Sequence, residues 1–223
     1  MIAMGARKGL LSAGWLLLTV PVSASAGSGA PVDCAPAALR HELLQRRDGD
    51  QAARNALTAS PESKVALDKV LDIDADNAKF MRGVVGSCGW PKRSAIGEEA
   101  AKAAWLLTQH ADMDPQYQAS AAQQMKQAVL ADEADGRQLA SLVDRNRRLT
   151  DQAQVYGMQY FRNGQGVVEF YDIVTPTKLD ERRQEIGLES FYCWAQRVSS
   201  STGTAALVWP EDVLFQPSSC PAD

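Results

Sequence analysis

Residues 96–110 read IGEEAAKAAWLLTQH, and their spacing decides the fold class. Ala103, Leu106, Leu107 and His110 recur at i, i+3, i+4 and i+7, which is one face of a helix. The same period continues on both sides. Upstream, Ala35 to Leu57 places Leu39, Leu43 and Leu44 on one stripe, with a break expected at Asp48-Gly49-Asp50. Ser60-Pro61-Glu62 reads as a helix start, with Ser60 as cap and Pro61 in the first position. Asp76 to Ser87 carries Phe80, Val84 and Val85 as a further helix, and Gly89-Trp90-Pro91 stops it. Downstream, Asp114-Pro115 opens a helix that reaches about Asp132. Gly136 marks a bend, and Arg137 to Leu149 is the next helix.

After Leu149 the pattern changes. Val155 to Arg162 and Val167 to Val174 are rich in aromatic and β-branched residues and flank the turn signal Asn163-Gly164-Gln165-Gly166. Together they read as a β-hairpin. Thr177-Lys178-Leu179-Asp180 resembles a capping box for a helix ending at Gly187. Phe191 to Trp194 and Ala205 to Phe215 read as strands separated by the Ser199–Gly203 run. The expected fold class is therefore α+β, mostly α: a helical bundle-like core, a C-terminal β-hairpin and a short disulfide-stapled tail.

The N-terminus reads as an export signal. Arg7 and Lys8 precede an apolar run from Gly9 to Val22, and Ala24-Ser25-Ala26 fits a small-x-small cleavage site. The run is shorter than the ~20 residues that span a bilayer. Cys34 follows Pro31-Val32-Asp33 and has no lipobox. Removing residues 1–26 takes away two basic residues and no acidic one, so a chain of formal charge −4 becomes more acidic. That balance excludes a general nucleic-acid binder and disfavours adhesion to anionic membranes. With 45% hydrophobic and 22% charged residues, the 223-residue chain is also neither disordered nor polytopic. The expected location is periplasmic or secreted, with no stable membrane insertion after cleavage. An even cysteine count in an exported chain favours two disulfides among Cys34, Cys88, Cys193 and Cys220. Three pairings are possible. Cys34–Cys88 with Cys193–Cys220 is favoured, the second stapling the tail to the core.

Four places carry unusual side chains. Arg183 shares a helical face with Leu179 and Ile186, so its guanidinium points inward, where it needs a carboxylate or an anionic ligand. A structural ion pair and an anion clamp are both open. His110 ends an apolar stripe and is one of two histidines in the chain. It is either a satisfied core residue or a general acid or base, and a turn before Asp114 would bring Asp112 to it. Asp144, in Asp144-Arg145-Asn146-Arg147-Arg148, pairs with Arg147 or Arg148 at helical spacing, or holds an inward Arg from the core edge. Gln154 to Gln159 opens the hairpin; read as a strand, it puts Gln154, Tyr156 and Met158 on one face, and Gly157 leaves room beside Gln159. His41 lies among charged residues, on a solvated face. Asp72-Ile73-Asp74-Ala75-Asp76 lacks the glycine and distal Glu of an EF-hand loop and reads as solvated turns and caps. No nucleophile elbow, Walker loop or zinc motif occurs, and no metal or cofactor is expected.

Gly89-Trp90-Pro91, Gln109-His110-Ala111-Asp112, Leu142-Val143-Asp144-Arg145, Gln154-x-Tyr156-Gly157-x-Gln159 and Arg182-Arg183 with Gly187-Leu188 stand in that order. Their order resembles the bacterial domain of unknown function 6624, whose pattern has GWP, QHAD, LxDR, QxYGTQ and RR…GL segments. Met158 stands where that pattern has Thr. The resemblance runs from Asp76 to Leu188; together with the export signal it gives the expected division into a signal peptide (1–26), an N-terminal helical segment (27–75), the family-like core (76–188) and a C-terminal extension (189–223). It implies that His110, Asp112, Asp144, Arg145, Tyr156, Gln159 and Arg183 form one polar cluster, and it supplies no reaction.

Two functions follow. In the first, Asp144, Arg145, Tyr156, Gln159 and Arg183 bind a small polar or anionic ligand. In the second, the protein is a periplasmic hydrolase: His110 is general acid or base, oriented by Asp112 or Asp144, and Arg183 stabilises an anion.

Overall fold

The computed structural model describes residues 32–203, 207–210, 212–213 and 220. Residues 1–31, which hold the expected signal peptide and most of the expected small-residue leader, lie outside the described residues. Helix α1 runs from Pro36–Ala59 and α2 from Lys64–Cys88; a short α3, Arg93–Ile96, leads into α4, Glu98–Gln109. Helices α5 (Pro115–Leu130) and α6 (Gly136–Leu149) complete the helical core. Strands β1 (Tyr160–Arg162) and β2 (Val168–Phe170) follow, then α7 (Leu179–Glu185), α8 (Phe191–Thr202) and β3 (Leu207–Val208). The expected mostly helical α+β class is what the chain adopts.

Local chemistry explains several boundaries. Asp114 accepts from the Tyr117 amide and precedes Pro115, so α5 starts at the Asp-Pro step. Asp135 caps α6 through the Gln138 amide. Gly136 has no room for a side chain: an added Cβ would collide with the Ile186 carbonyl oxygen.

Other boundaries differ from the sequence reading. No break occurs at Asp48-Gly49-Asp50; α1 passes through it, with Asp50 buried. Glycine inside a helix costs only about 1 kcal/mol, and packing of α1 on α2 and α4 offsets that. Ser60 closes α1 instead of opening a helix. The cap of α2 is Ser63, which accepts from the Ala66 amide. The 96–110 helix starts at Glu98, because Gly97 at φ 84° separates it from α3. Thr177 caps nothing; a 3₁₀ turn at Pro176–Lys178 leads into α7 without a side-chain cap. Phe191 to Trp194 is the first turn of α8, not a strand. Ser190 caps it through the Cys193 amide, and the Ser199 to Thr202 stretch is its last turn. Of the strand expected at 205–215, only Leu207–Val208 form β3 among the described residues; residues 209, 210, 212 and 213 are not strand.

In the main core α1 packs on α2 and α4, and α5 packs on α6. Leu43, Met81, Leu107, Met125 and Leu142 meet there, fully buried. A smaller cluster, including Val168, Phe170, Leu179, Phe191 and Val198, lies between the sheet and α7–α8. Strands β1 and β2 pair antiparallel, Tyr160 opposite Phe170, and β3 joins β2 in parallel. The disulfides are Cys34–Cys88, tying the start of α1 to the end of α2, and Cys193–Cys220, tying α8 to the tail. Each contributes typically 2–4 kcal/mol. No helix among the described residues is long and apolar enough to cross a membrane.

Candidate functional site

The structure separates the expected polar cluster into three parts. The first is built on Asp144. It lies at 0% exposure, and its carboxylate accepts from the amides of Val155 (2.7 Å), Tyr156 (3.1 Å) and Met158 (2.9 Å). The Gln154–Gln159 segment is therefore a turn wrapped around a carboxylate, not a strand. Gly157 adopts φ 74°, and a Cβ there would come within 2.7 Å of the Phe191 ring, so only glycine fits. Gln154 closes the turn by donating to the Gln159 and Tyr171 carbonyls and accepting from the Gln159 amide. The arginines hold the opposite side. Arg182 Nε donates to the Val155 carbonyl at 2.9 Å. Arg183, 1% exposed, donates to the carbonyls of Tyr156 and Glu189 and reaches the Met158 sulfur at 3.7 Å.

Asp144 thus pairs with backbone amides instead of Arg147 or Arg148, and Arg183 pairs with backbone carbonyls instead of a carboxylate. Burial pushes the Asp144 pKa up, against the hydrogen bonds from Met158, Val155 and Tyr156. Burial pulls the Arg183 pKa down to about 10, against the fields of Asp180, Glu189 and Asp144, so it remains charged at neutral pH. The network is closed. It clasps one turn between a carboxylate and two guanidinium groups.

The second part is a pair. Arg145 donates through Nε and Nη2 to both oxygens of Asp112, in a bidentate, half-exposed arrangement. Asp112 is thereby taken by Arg145 and does not orient His110. Gln159 is half-buried at the end of the clasped turn, held there by its backbone.

The third part surrounds His110 and contains residues that local sequence spacing did not single out. His110 caps the C-terminus of α4. Gln118 of α5 fixes that end by donating to the carbonyls of Thr108 and Gln109. The imidazole faces α1, where Nδ1 lies 3.0 Å from Asp50 Oδ1 and 3.1 Å from Arg54 Nε. Arg54 Nε lies 3.2 Å from the same Asp50 oxygen, and its Nη2 donates to Asp74 of α2. Gln51 Nε2 donates to the other Asp50 oxygen at 2.6 Å. The two neighbours of Nδ1 favour opposite tautomers: a bare Nδ1 accepts from Arg54 Nε–H, whereas a protonated Nδ1 donates to Asp50 Oδ1 and faces the Arg54 N–H. Arg54 Nε–H also reaches Asp50 Oδ1, so with Asp50 ionised the second arrangement keeps both donors on the carboxylate and leaves Nε2 as the basic nitrogen. Nε2 has no hydrogen-bond partner among the described residues, yet it is not among the buried orphaned atoms.

The two carboxyls differ. Burial acts to raise the Asp50 pKa, but the His110 hydrogen bond and charge, with Gln51 and Arg54, hold it below the ordinary value. At Asp74 burial prevails over Arg54, and the pKa is raised. Ligand atoms of Asp50, Asp74 and His110 lie within 4.8 Å of one another, so the set could hold a divalent cation. Arg54 already places its guanidinium against all three. Asp74, read from sequence as part of a solvated acidic turn, belongs instead to this cluster on α2.

These features define a disulfide-bonded, mostly helical α+β protein with a His/Asp centre at the junction of α1, α2 and α4. The model of a family described as "Family of unknown function (DUF6624)" matches residues 37–204, and the chain belongs to that family. The match extends beyond the 76–188 stretch that carries the motifs. No curated protein and no solved structure matches the chain.

Proposed function

We propose that the protein is exported to the periplasm or cell exterior and acts through His110 on a small polar ligand, with His110 Nε2 as the proton acceptor or donor. The observation that carries this reading is the His110–Asp50 contact. A buried carboxylate, its pKa held below the ordinary value, contacts Nδ1 and leaves Nε2 available, as required of a general acid or base. Arg54 and Asp74 complete the polar wall. Arg183 is not part of this centre, since its donors hold the Tyr156 and Glu189 carbonyls.

Catalysis is the form of this reading that the oriented imidazole favours. Hydrolysis by directly attacking water, activated at Nε2, needs no nucleophilic side chain. Export is supported by the two disulfides and by the basic–apolar–small pattern of residues 7–26.

The test is a screen of small polar and phosphorylated metabolites against the mature protein, for binding and for turnover, with His110→Ala and Asp50→Asn in parallel. The reading expects turnover to vanish in His110→Ala and to fall by at least ~10²-fold in Asp50→Asn. Turnover that persists in His110→Ala would refute it.

A further inference from the structure

A second cleft lies away from the His110 centre, between α5 and α6 beside the clasped turn. It has a volume of about 250 Å³, below the roughly 300–1,000 Å³ of drug-sized sites. Ala122, Leu139 and Val143 form its apolar wall, and Tyr156, Lys126 and Arg147 bring polar groups to it.

Tyr156 is only 5% exposed, and its hydroxyl makes no hydrogen bond to a described residue. The hydroxyl is not among the buried orphaned atoms, so it opens onto the cleft that Tyr156 lines. The ring is also held rigidly. Asp144 takes the Tyr156 amide and Arg183 its carbonyl, so the clasp fixes Tyr156 on the cleft wall. Burial and the nearby Asp144 and Glu185 charges raise the hydroxyl's pKa, which keeps it a donor. Lys126 and Arg147 are half-buried, and neither has an acidic partner among the described residues. Arg147 uses Nε to hold the Ala153 carbonyl, which leaves its terminal nitrogens.

An apolar wall, one spare hydroxyl donor and two unneutralised cations are complementary to one chemistry. We propose that this cleft binds a small carboxylate with an apolar body, the carboxylate meeting Tyr156, Lys126 and Arg147 and the hydrocarbon lying on Ala122, Leu139 and Val143. The proposal is independent of the His110 reading, because the two sites share no residue.

Octanoate is the probe and octan-1-ol the neutral control, followed by ¹H–¹⁵N NMR of the mature, disulfide-bonded protein. Octanoate is expected to shift amides of α5, α6 and residues 155–156. Tyr156→Phe removes only the hydroxyl and should leave the unfolding midpoint unchanged. Lys126→Gln keeps most of the half-buried stem and removes only the charge. Each should weaken octanoate about tenfold, while octan-1-ol binds more weakly than octanoate throughout. Equal binding of the alcohol, indifference to both variants, shifts centred on His110, or no shift up to roughly 10 mM octanoate would each overturn the proposal.

Discussion

Asp50 Oδ1 lies 3.0 Å from His110 Nδ1, across the contact between the middle of α1 and the end of α4. Sixty positions separate the two residues in sequence. The contact buries a carboxylate at 1% exposure, which favours a proton on Nδ1 against the neighbouring Arg54 Nε–H.

Removing that carboxylate should cost stability as well as function. Asp50→Ala leaves Arg54 and His110 without their shared acceptor. A loss of about 3 kcal/mol is expected, since breaking a buried charged network typically costs ~3–5 kcal/mol and Arg54 is partly solvated. Urea denaturation at neutral pH measures it. The folded pKa of Asp50 is below its ordinary 3.8. Its contribution is therefore present above pH 3.8 and lost as pH falls through the lower folded value. The wild-type and Asp50→Ala curves should converge in acid.

The clasp around Asp144 gives a stronger effect. Asp144→Ala strands the amides of Val155, Tyr156 and Met158 in the interior. Each unsatisfied donor costs ~1–3 kcal/mol, so a loss of roughly 4 kcal/mol is expected by denaturant titration. Asp144→Asn should recover only part of it, because its NH₂ end faces donors.

Gly157→Ala tests the same turn from the backbone side. The φ of 74° and the Phe191 ring both oppose a Cβ. Strain and overpacking each cost ~1–3 kcal/mol, and the thermal midpoint should fall accordingly. Gly164→Ala, where nothing lies within 4 Å of the added atom, is the control and should change little.

Alkaline pH provides a further check. Tyr117 is buried, which pushes its hydroxyl pKa up to about 12 from 10.0 against its hydrogen bond with Thr108 and the Arg82 charge. The unfolded chain ionises first. The stability due to a neutral Tyr117 is therefore complete below pH 10 and is lost as pH rises towards 12. The two-unit difference corresponds to about 2–3 kcal/mol. The stability gap between wild type and Tyr117→Phe should shift by that amount over this range.

The guanidinium of Arg54 is expected to compete with a cation for the donor atoms of the His110 centre. Arg54→Met removes the guanidinium from among Asp50, Asp74 and His110, leaving two carboxylates and an imidazole. Zn²⁺ should bind this variant more tightly than the wild type by calorimetry. Equal affinities would show that Arg54 does not occupy the donor set.

Much of the helical frame was legible from local chemistry, though the start of α2 was not, since Ser63 caps it and Ser60 closes α1. Asp114-Pro115 marked the start of α5, and the apolar stripe ending at His110 marked α4. Phe191 to Trp194 misled because aromatic residues favour strands. The helical signal was there in Phe191, Ala195 and Val198 at i, i+4 and i+7, the buried face of α8. Inward Arg183 was also legible from its stripe, whereas Asp144, fully buried, was read only as a surface partner of Arg147 or Arg148 or as a core-edge residue. Their partners were not, because backbone amides and carbonyls leave no trace in composition. Asp50 was hidden behind an expected helix break, and its pairing with His110 depends on how α1 crosses α4, which no local spacing records.

The most direct measurement is the tautomer of His110, read from long-range ¹H–¹⁵N NMR of the imidazole in wild type and Asp50→Asn at mildly alkaline pH. The account expects the wild-type ring to carry its proton on Nδ1, held by Asp50, with Nε2 bare, and expects that preference to weaken in Asp50→Asn. A wild-type ring protonated on Nε2, unchanged by the substitution, would contradict it.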